Sequence, residues 1–411
     1  MKNMRIGIFG LMRGADLIES ICMNNCEIVA VCDKNEKRLE DVKNRLGNSV
    51  MYFREFDDFI NHPMDAVLIA NYFHEHTEFV VRALSENINV LCECLPSVTM
   101  ADSVKLVRAA EKSKAVFMLM ENYPYMFFNQ EMKRIYSGGT LGKVLYAEGE
   151  YNHPSNPYNG DNIPLLYDSE KHWRNFLPRT YYISHSLAPL MYITGATPIK
   201  VSAVPVYSEI PDDCVRASRV PEAASIITIL NDDKSVFKVT GHASFAGESN
   251  SYRFCGEKGT VENIRGTDGK IMLRYNEWDT PKGEETVKFY KPYFENEEFI
   301  KKMGHYGGDY FALKEFADCA KNNRKPDFDV YFSTFISSVA IMAHRSVLNG
   351  GIPYEIPDFR NEEDRKKYEN DNLSPFYMSN GTPPDIPCTV YECGDKCDKR
   401  INNFNNALKE K

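Results

Sequence analysis

The sequence predicts an α/β protein. Its N-terminal part reads as a doubly wound parallel sheet, and its C-terminal part as an α+β domain with a large, mainly antiparallel sheet. Three observations carry this prediction. Up to about residue 122, short and wholly apolar runs alternate with charged helical stretches, the pattern of strands buried between helices. From about residue 144, strand candidates follow one another across turn-forming residues. At 411 residues, the chain exceeds the length that one core usually serves, so two domains are expected.

The first element is Arg5–Phe9, a short apolar run that reads as a buried strand and ends at Gly10. A helical stretch follows from Ala15 to about Asn24, and a second apolar run, Glu27–Cys32, closes on Asp33. Strand, glycine turn, helix, strand and acid within about 30 residues is the Rossmann dinucleotide fingerprint. The glycine turn lets a pyrophosphate approach the backbone. The helix N-terminus offers its unpaired N–H groups, and the acid accepts from a ribose. Here the turn runs Gly10-Leu11-Met12-Arg13-Gly14-Ala15, with Met12 where the usual pattern has a second glycine. Gly10, Met12 and Arg13 are therefore expected against the cofactor phosphates and Asp33 against its ribose. A carboxylate repels a 2′-phosphate, so NAD is the expected cofactor, while nearby Lys34 and Arg38 leave NADP open.

The alternation continues through a helix at Asn35–Leu46, a strand at Ala66–Ile69 and a helix at Thr77–Glu86. It ends with a strand at Val90–Cys92, a helix capped by Thr99 and a strand at Val116–Leu119. Beyond it, Asn129–Tyr136 reads as a helix stopped by Gly138-Gly139. Strands are expected at Val144–Tyr151, Ile199–Val206, Ser225–Leu230, Val236–His242, Ser251–Cys255, Thr260–Asn263, Ile271–Arg274 and Thr286–Phe289. Helices at Tyr310–Lys321 and Val330–Leu348 follow. The division read from this is residues 1–122, 123–357 and a tail at 358–411, polar and rich in proline and asparagine, expected to wrap the surface or a partner subunit.

A net charge of −9 with no basic stripe argues against a nucleic-acid partner. No apolar run reaches the ~20 residues of a membrane span, and the start runs directly into the first strand, so a cytoplasmic protein is expected. Eleven cysteines then read as reduced thiols. Cys388, Cys393 and Cys397 cluster near the C-terminus, but lack a fourth ligand and the knuckle spacing of a metal site. No metal is expected.

Chemistry-bearing residues recur where parallel strands end, the edge that faces the ligand crevice in such folds. Asn71 and His76 follow the fourth strand, Glu93 the fifth, and Glu121-Asn122-Tyr123 the sixth. Asn71, His76, Glu93 and Asn122 are expected at the cofactor, Glu121 and Tyr123 at the substrate. Helix caps and exposed acids are the plain alternative. In the second domain, Tyr151 and His153 are two apart on a strand and so face one way. Tyr182 and His185, three apart, share one face of a helical turn. Histidine and tyrosine suit proton movement near neutral pH. The pairs flank a loop holding Trp173 and Arg174, which suggests a pocket wall; buried core tyrosines are the alternative. His305-Tyr306-Gly307-Gly308-Asp309 combines polar groups with glycines that permit close approach, although Asp309 also suits a helix cap.

Together these segments resemble the Gfo/Idh/MocA oxidoreductase family over about residues 1–357. The nearest branch is that of glycoside hydrolase family 109, the NAD-dependent α-N-acetylgalactosaminidases. Its Glu-Asn-x-x-Tyr, Gly-Glu-Tyr-x-His, Tyr-Pro-Thr-His-Gly-Leu-Gly-Pro and Gly-His-Gly-Gly-x-Asp segments are paralleled by Glu121–Tyr125, Gly149–His153, Tyr182–Pro189 and Gly304–Asp309. The sugar dehydrogenases of the wider family carry Glu-Lys-Pro and an aspartate three residues after the site histidine. Here Glu93 is followed by Cys94-Leu95-Pro96, and the aspartate position is Ala188. Ser186 and Ala188 also replace the hydrolase branch's glycines.

The resemblance implies hydride transfer from a ring hydroxyl carbon to NAD, with Tyr182 or His185 taking the proton and Tyr151 and His153 serving the sugar. It also implies redox-neutral glycoside cleavage by oxidation and elimination, outside the two-carboxylate scheme. Trp173, Arg174, His305 and Asp309 are expected to bind the sugar. A small-molecule sugar or glycoside is thus the expected partner, and a homo-oligomer the expected assembly. The other reading is a non-catalytic regulatory protein that senses a cofactor or sugar on the same fold.

Overall fold

The computed structural model describes residues 3–161, 163–245, 247–294, 298, 302–391 and 394–409, the side chains of residues 165 and 394–397 excepted. Cys393 and the side chain of Cys397 lie outside that description. Two compact units emerge. One comprises Met1–Arg134, Pro292–Ser337 and Asp358–Asp371; the other Ile135–Lys291, Ser338–Pro357 and Asn372–Lys411.

The first unit is built on β1 (Met4–Phe9), β2 (Cys26–Cys32), β3 (Met51–Phe53), β4 (Ala66–Ile69), β5 (Asn89–Cys92) and β6 (Phe117–Leu119). They form one parallel sheet in the order β3-β2-β1-β4-β5-β6, the doubly wound topology. Its central strands are apolar without alternation because helices cover both faces; Ile6, Ile8, Val67, Leu68, Val90 and Leu91 are fully buried. The crossovers hold α1 (Ile18–Met23), α2 (Glu36–Leu46), α3 (Phe56–Ile60), α4 (His76–Ser85) and α5 (Met100–Lys112). As expected, Thr99 caps α5, its side chain accepting from Asp102 N at 3.0 Å. The sequence pattern gave no sign of β3 and α3. At three and five residues they are too short to display a period.

Register fixes where ligands can meet this sheet. Phe9 pairs with Cys32 and Ile69, Ile69 with Cys92, and Cys92 with Leu119. The strands therefore end in line, and Gly10, Asp33, Asn71, Glu93 and Glu121 leave the sheet along one edge.

The second unit holds a nine-stranded sheet of β7 (Val144–Asn152), β8 (Pro198–Tyr207), β9 (Glu222–Asn231), β10 (Val236–Thr240), β11 (Ser249–Gly256), β12 (Gly259–Asn263), β13 (Ile271–Tyr275), β14 (Val287–Tyr290) and β15 (Tyr354–Glu355). Its order is β14-β13-β12-β11-β7-β10-β9-β8-β15, and every pairing is antiparallel except β7 with β10. The helix α8 (Ser184–Thr194) packs on this sheet, following α6 (Phe127–Ser137) and the short α7 (Ile163–Leu166) in the chain. Gly149 on β7 makes that contact possible: a Cβ there would sit 2.0 Å from the Ser186 carbonyl oxygen. Later helices are α9 (Gly308–Asn322), α10 (Val330–Leu348), α11 (Glu362–Tyr368) and α12 (Gly394–Lys409).

The expected polar wrap at the C-terminus needs correction. Phe404 on α12 is fully buried against Ile163, Tyr167 and Ala217 of the same unit. Phe376 is 1% exposed and meets Tyr181 edge-on at 5.2 Å. The Pro387 carbonyl bonds His344 Nε2 at 2.8 Å, and Thr389 Oγ1 donates to Glu222 Oε1 at 2.6 Å. Two isolated phenylalanines in a polar background give no periodic signal, yet they tie Asn372–Lys411 into the second unit, whereas Asp358–Asp371 belongs to the first.

Candidate functional site

In the first unit, the glycine turn is built for close approach. Gly10 has φ +93°, and a Cβ there would lie 2.4 Å from the Ala70 and Asn71 backbone. Gly14 fits α1 to the sheet, since a Cβ would meet Ile8 Cγ2 at 2.5 Å. Asp33 ends β2 with its side chain buried. Its Oδ2 accepts from Leu11 N at 2.7 Å and its Oδ1 from Asn35 N at 2.8 Å, with Arg38 3.8 Å away. A carboxylate offers about four acceptor sites, so Asp33 braces the turn and keeps capacity for a ribose hydroxyl. Two buried atoms on the same edge, Asn71 Oδ1 and Asn122 Oδ1, have no hydrogen-bond partner among the described residues. Orphaned buried acceptors are costly. With the glycine cradle, they fit a polar ligand along this edge, as a dinucleotide would lie.

Arg13, in the glycine turn, is the centre of a charge network. Its Nε donates to Glu93 Oε1 at 3.1 Å and its Nη2 to Asp309 Oδ1 at 2.7 Å. Asp309, 3% exposed, also accepts from Asn122 Nδ2 at 2.7 Å and His305 Nδ1 at 2.9 Å. Burial opposes its ionisation, but the His305 hydrogen bond and the Arg13 charge prevail and hold the carboxyl well below its usual range. His305 and Tyr306 have φ +54° and +50°, a strained turn that presents the imidazole to Asp309. The Tyr123 ring lies 5.7 Å from that of His305. Glu121 is fully buried, accepting from Cys94 Sγ at 3.1 Å. Glu121, Asn122, Tyr123, His305 and Asp309, distant in sequence, thus gather in one unit with Arg13 and Glu93. Met12 stands in the turn, partly buried. His76 is turned inward: its ring nitrogens lie 2.9 Å from Leu95 O and 3.3 Å from Asn71 O, and burial pulls it down to about 4.

In the second unit, the two tyrosine–histidine pairs form a single cluster. Tyr151 stacks on His153 at 5.7 Å and 9°, and on Tyr182 at 5.7 Å and 21°. His185 stands edge-on to both, 4.9 Å from Tyr151 and 5.3 Å from Tyr182. Close seating of α8 on Gly149 brings His185 to Tyr151. Tyr252 Oη secures the arrangement by donating to the His185 carbonyl at 2.7 Å. His153 Nδ1 lies 3.0 Å from Glu248 Oε1.

A fifth ring, His242, went unread in the sequence as the last residue of an ordinary strand. It lies 5.3 Å from Tyr182 and 5.8 Å from Tyr151. Its Nδ1 is 3.1 Å from Arg179 Nη1 and its Nε2 is 3.1 Å from the His153 carbonyl. Because a guanidinium only donates, Nδ1 is the acceptor and Nε2 carries the proton. Burial and the Arg179 charge push His242 down to about 3, so it is a neutral, fixed ring. Arg179 itself had no sequence signal. Trp173 is buried, with the Arg174 guanidinium 4.4 Å above its ring. Among the described residues, no group of His, Cys, Asp and Glu is arranged to hold a metal, and no helix is long and apolar enough to cross a membrane.

Sheet order, glycine cradle and ribose acid define the first unit as a dinucleotide-binding Rossmann fold. Residues 4–121 match the oxidoreductase family with NAD-binding Rossmann fold, and residues 248–366 match the C-terminal domain of glycosyl hydrolase 109. The chain therefore carries the NAD-binding Rossmann domain of the Gfo/Idh/MocA oxidoreductases and a family 109 C-terminal domain, in agreement with the resemblance read from its motifs. A glycosyl hydrolase family 109 protein of Bacteroides thetaiotaomicron is 25% identical, with 87% of this chain and 85% of that protein covered. An NAD-binding oxidoreductase from Klebsiella pneumoniae superposes with TM-score 0.72 at 14% identity, covering 87% of this chain and all of that one. Levoglucosan dehydrogenase, solved with NADH and L-sorbose, gives TM-score 0.71 at 13% identity, with 87% and 100% covered. At such identities, the two solved structures speak for the fold alone.

Proposed function

We propose that this protein is an NAD-dependent enzyme acting on the ring of a sugar or glycoside. The observation that carries the reading is the convergence of Tyr151, His153, Tyr182 and His185 into one ring cluster. Proton carriers gathered in this way suit a step in which a hydroxyl loses its proton while its carbon loses hydride. Bound NAD supplies the hydride acceptor and, once reduced, the donor that can return it. Gly10, Arg13, Asp33, Asn71 and Asn122 hold the dinucleotide. Tyr182, with His185 edge-on to it, takes the hydroxyl proton at sugar carbon 3. Tyr151 and His153 hold the ring and receive the proton of carbon 2, which the new ketone acidifies. Loss of that proton expels the carbon 1 substituent. Water then adds, and return of hydride completes a cleavage without net oxidation. A ketone released before elimination is net oxidation instead. The name of the Bacteroides thetaiotaomicron relative supports the first outcome.

Purified protein with a panel of glycosides, followed by nicotinamide absorbance and by exchange of the carbon 2 proton in D₂O, tests this reading. Carbon 2 exchange with only transient NADH is expected for cleavage, and accumulating NADH for oxidation. Tyr182→Phe and His185→Ala should each lower turnover by about 10²–10⁴-fold with folding intact. Bound NAD that responds to no sugar would instead support the sensor reading.

A further inference from the structure

His153 is held at three of its four polar atoms. Its backbone N–H donates to the Ala243 carbonyl at 2.9 Å, and its carbonyl accepts from His242 Nε2 at 3.1 Å. The third contact joins side chains: Nδ1 lies 3.0 Å from Glu248 Oε1. An ionised carboxylate only accepts, so Nδ1 carries the proton of that bond. Sheet register places the pair. Asn152 on β7 pairs with Ser249 on β11, so the next antiparallel position sets His153 opposite Glu248 on one face. Tyr151, two residues back, shares that face, and its ring stacks on the imidazole at 5.7 Å and 9°. The chain at Glu248 is steadied from behind, because buried Asn152 donates from Nδ2 to the Gly247 carbonyl at 2.7 Å. An exposed ion pair is ordinarily loose. Here both backbones and the imidazole ring are fixed, and the remaining nitrogen, Nε2, makes no hydrogen bond among the described residues. The imidazole is half exposed, so a ligand can reach that nitrogen.

We propose that Glu248 and His153 form a carboxylate–imidazole dyad that takes the proton from sugar carbon 2, with His153 Nε2 as the base and Glu248 as its positioning residue. The proposal rests on the sugar-ring reading above and divides the labour within it. Tyr182 and His185 serve the carbon 3 hydroxyl, and the dyad serves the step that follows. The carbon 2–hydrogen bond breaks and its proton joins Nε2. The electron pair becomes a carbon 1–carbon 2 double bond, and the carbon 1–oxygen bond breaks with its pair on the departing oxygen. Water then adds: its hydroxyl joins carbon 1, the imidazolium returns a proton to carbon 2, and the other water proton goes to the departed oxygen. Glu248 contributes twice. It keeps a proton on Nδ1, which leaves the Nε2 lone pair available, and it bonds the imidazolium once that forms. His242 is a second positioning residue. Its Nε2 holds the His153 carbonyl and its Nδ1 accepts from Arg179, so both its nitrogens are occupied and it takes no proton itself.

The Glu248 side chain is exposed, so it can be removed without disturbing the core. Glu248→Leu should leave the melting temperature unchanged. It should lower turnover of a panel of 4-nitrophenyl glycosides by about 10- to 100-fold, the effect of a misplaced base. Glu248→Gln, whose amide oxygen still accepts, should keep part of the rate. The loss belongs to one step. In Glu248→Leu, exchange of the carbon 2 proton in D₂O slows, while NADH forms as fast as in the parent protein and then lingers. A carbon 2 deuterium isotope effect on turnover grows, and a carbon 3 effect shrinks. A merely structural role would slow both steps together. The tautomer is read without any substrate. In alkaline buffer, the nitrogen NMR spectrum of histidine-labelled protein should show a ring protonated on Nδ1 and bare on Nε2. His153→Gln should remove that signal, and Glu248→Leu should convert it to a ring protonated on Nε2. Equal slowing of NADH formation and carbon 2 exchange overturns the proposal. So does unchanged turnover in Glu248→Leu, or a His153 ring protonated on Nε2 in the parent protein. NADH that accumulates with no carbon 2 exchange in the parent protein removes this proposal and leaves the sugar-ring reading standing. Silence from every glycoside with NAD bound counts against both.

Discussion

Asp309 concentrates much of the first unit's electrostatics in one carboxylate that accepts from Arg13, Asn122 and His305. Asp309→Ala leaves a partly buried guanidinium with Glu93 as its remaining close partner in the network. Breaking a buried pair costs roughly 3–5 kcal/mol, and the lower figure is expected because Glu93 persists. Calorimetry should record a fall in the melting temperature, together with weaker NAD binding as the glycine turn loosens. The buried histidines predict a pH dependence. Burial, the largest cause in each case, holds His76 and His344 near about 4 and His242 near about 3. The unfolded chain takes up these protons as pH falls through 6.5, whereas the folded chain refuses them until about 4 or 3. Stability therefore drops across that window by about 1.4 kcal/mol per pH unit for each histidine. Asp309, whose folded value is depressed, adds a further loss below its ordinary value; Glu222, pushed up by burial, works the other way. Urea midpoints at about pH 7 and about pH 5 check this; equal midpoints would contradict it.

The seating of α8 on β7 depends on one missing methylene-sized volume. A Gly149→Ala Cβ would collide with the Ser186 backbone, which cannot rotate away as a side chain can. The helix must lift, and His185 with it. Overpacking of this kind costs about 1–3 kcal/mol, so Gly149→Ala should depress turnover more than it depresses the melting temperature. A variant with wild-type activity would show that the helix has room. Much of this site could be read from the chain. Period-two spacing put Tyr151 and His153 on one face, spacing by three joined Tyr182 to His185, and strand-end logic picked out Asn71, Glu93 and Asn122. What escaped was long-range. His242 and Arg179 meet because a strand end and a turn 63 residues apart converge. Neither position carries a local pattern, and β3 and α3 were invisible because they are too short to display one.

Across the molecule, the tail is held by few but deep contacts. Phe404→Ala removes a fully buried ring from its cluster with Ile163, Tyr167 and Ala217. The loss should be about 3–5 kcal/mol, seen as early release of the C-terminal region in proteolysis; unchanged protease resistance would argue that the helix is not anchored there. The discontinuous make-up of the first unit also matters during synthesis. Arg13 leaves the ribosome long before Asp309, its partner 296 residues later. At about 5–20 residues per second, that is roughly 15–60 s. Throughout that interval, the nascent nucleotide-binding half holds Arg13 against Glu93 but without its buried partner Asp309, and its edge is unfinished. It is then a natural client for a chaperone, and cells starved of one should lose this protein to aggregation before they lose its shorter-range neighbours.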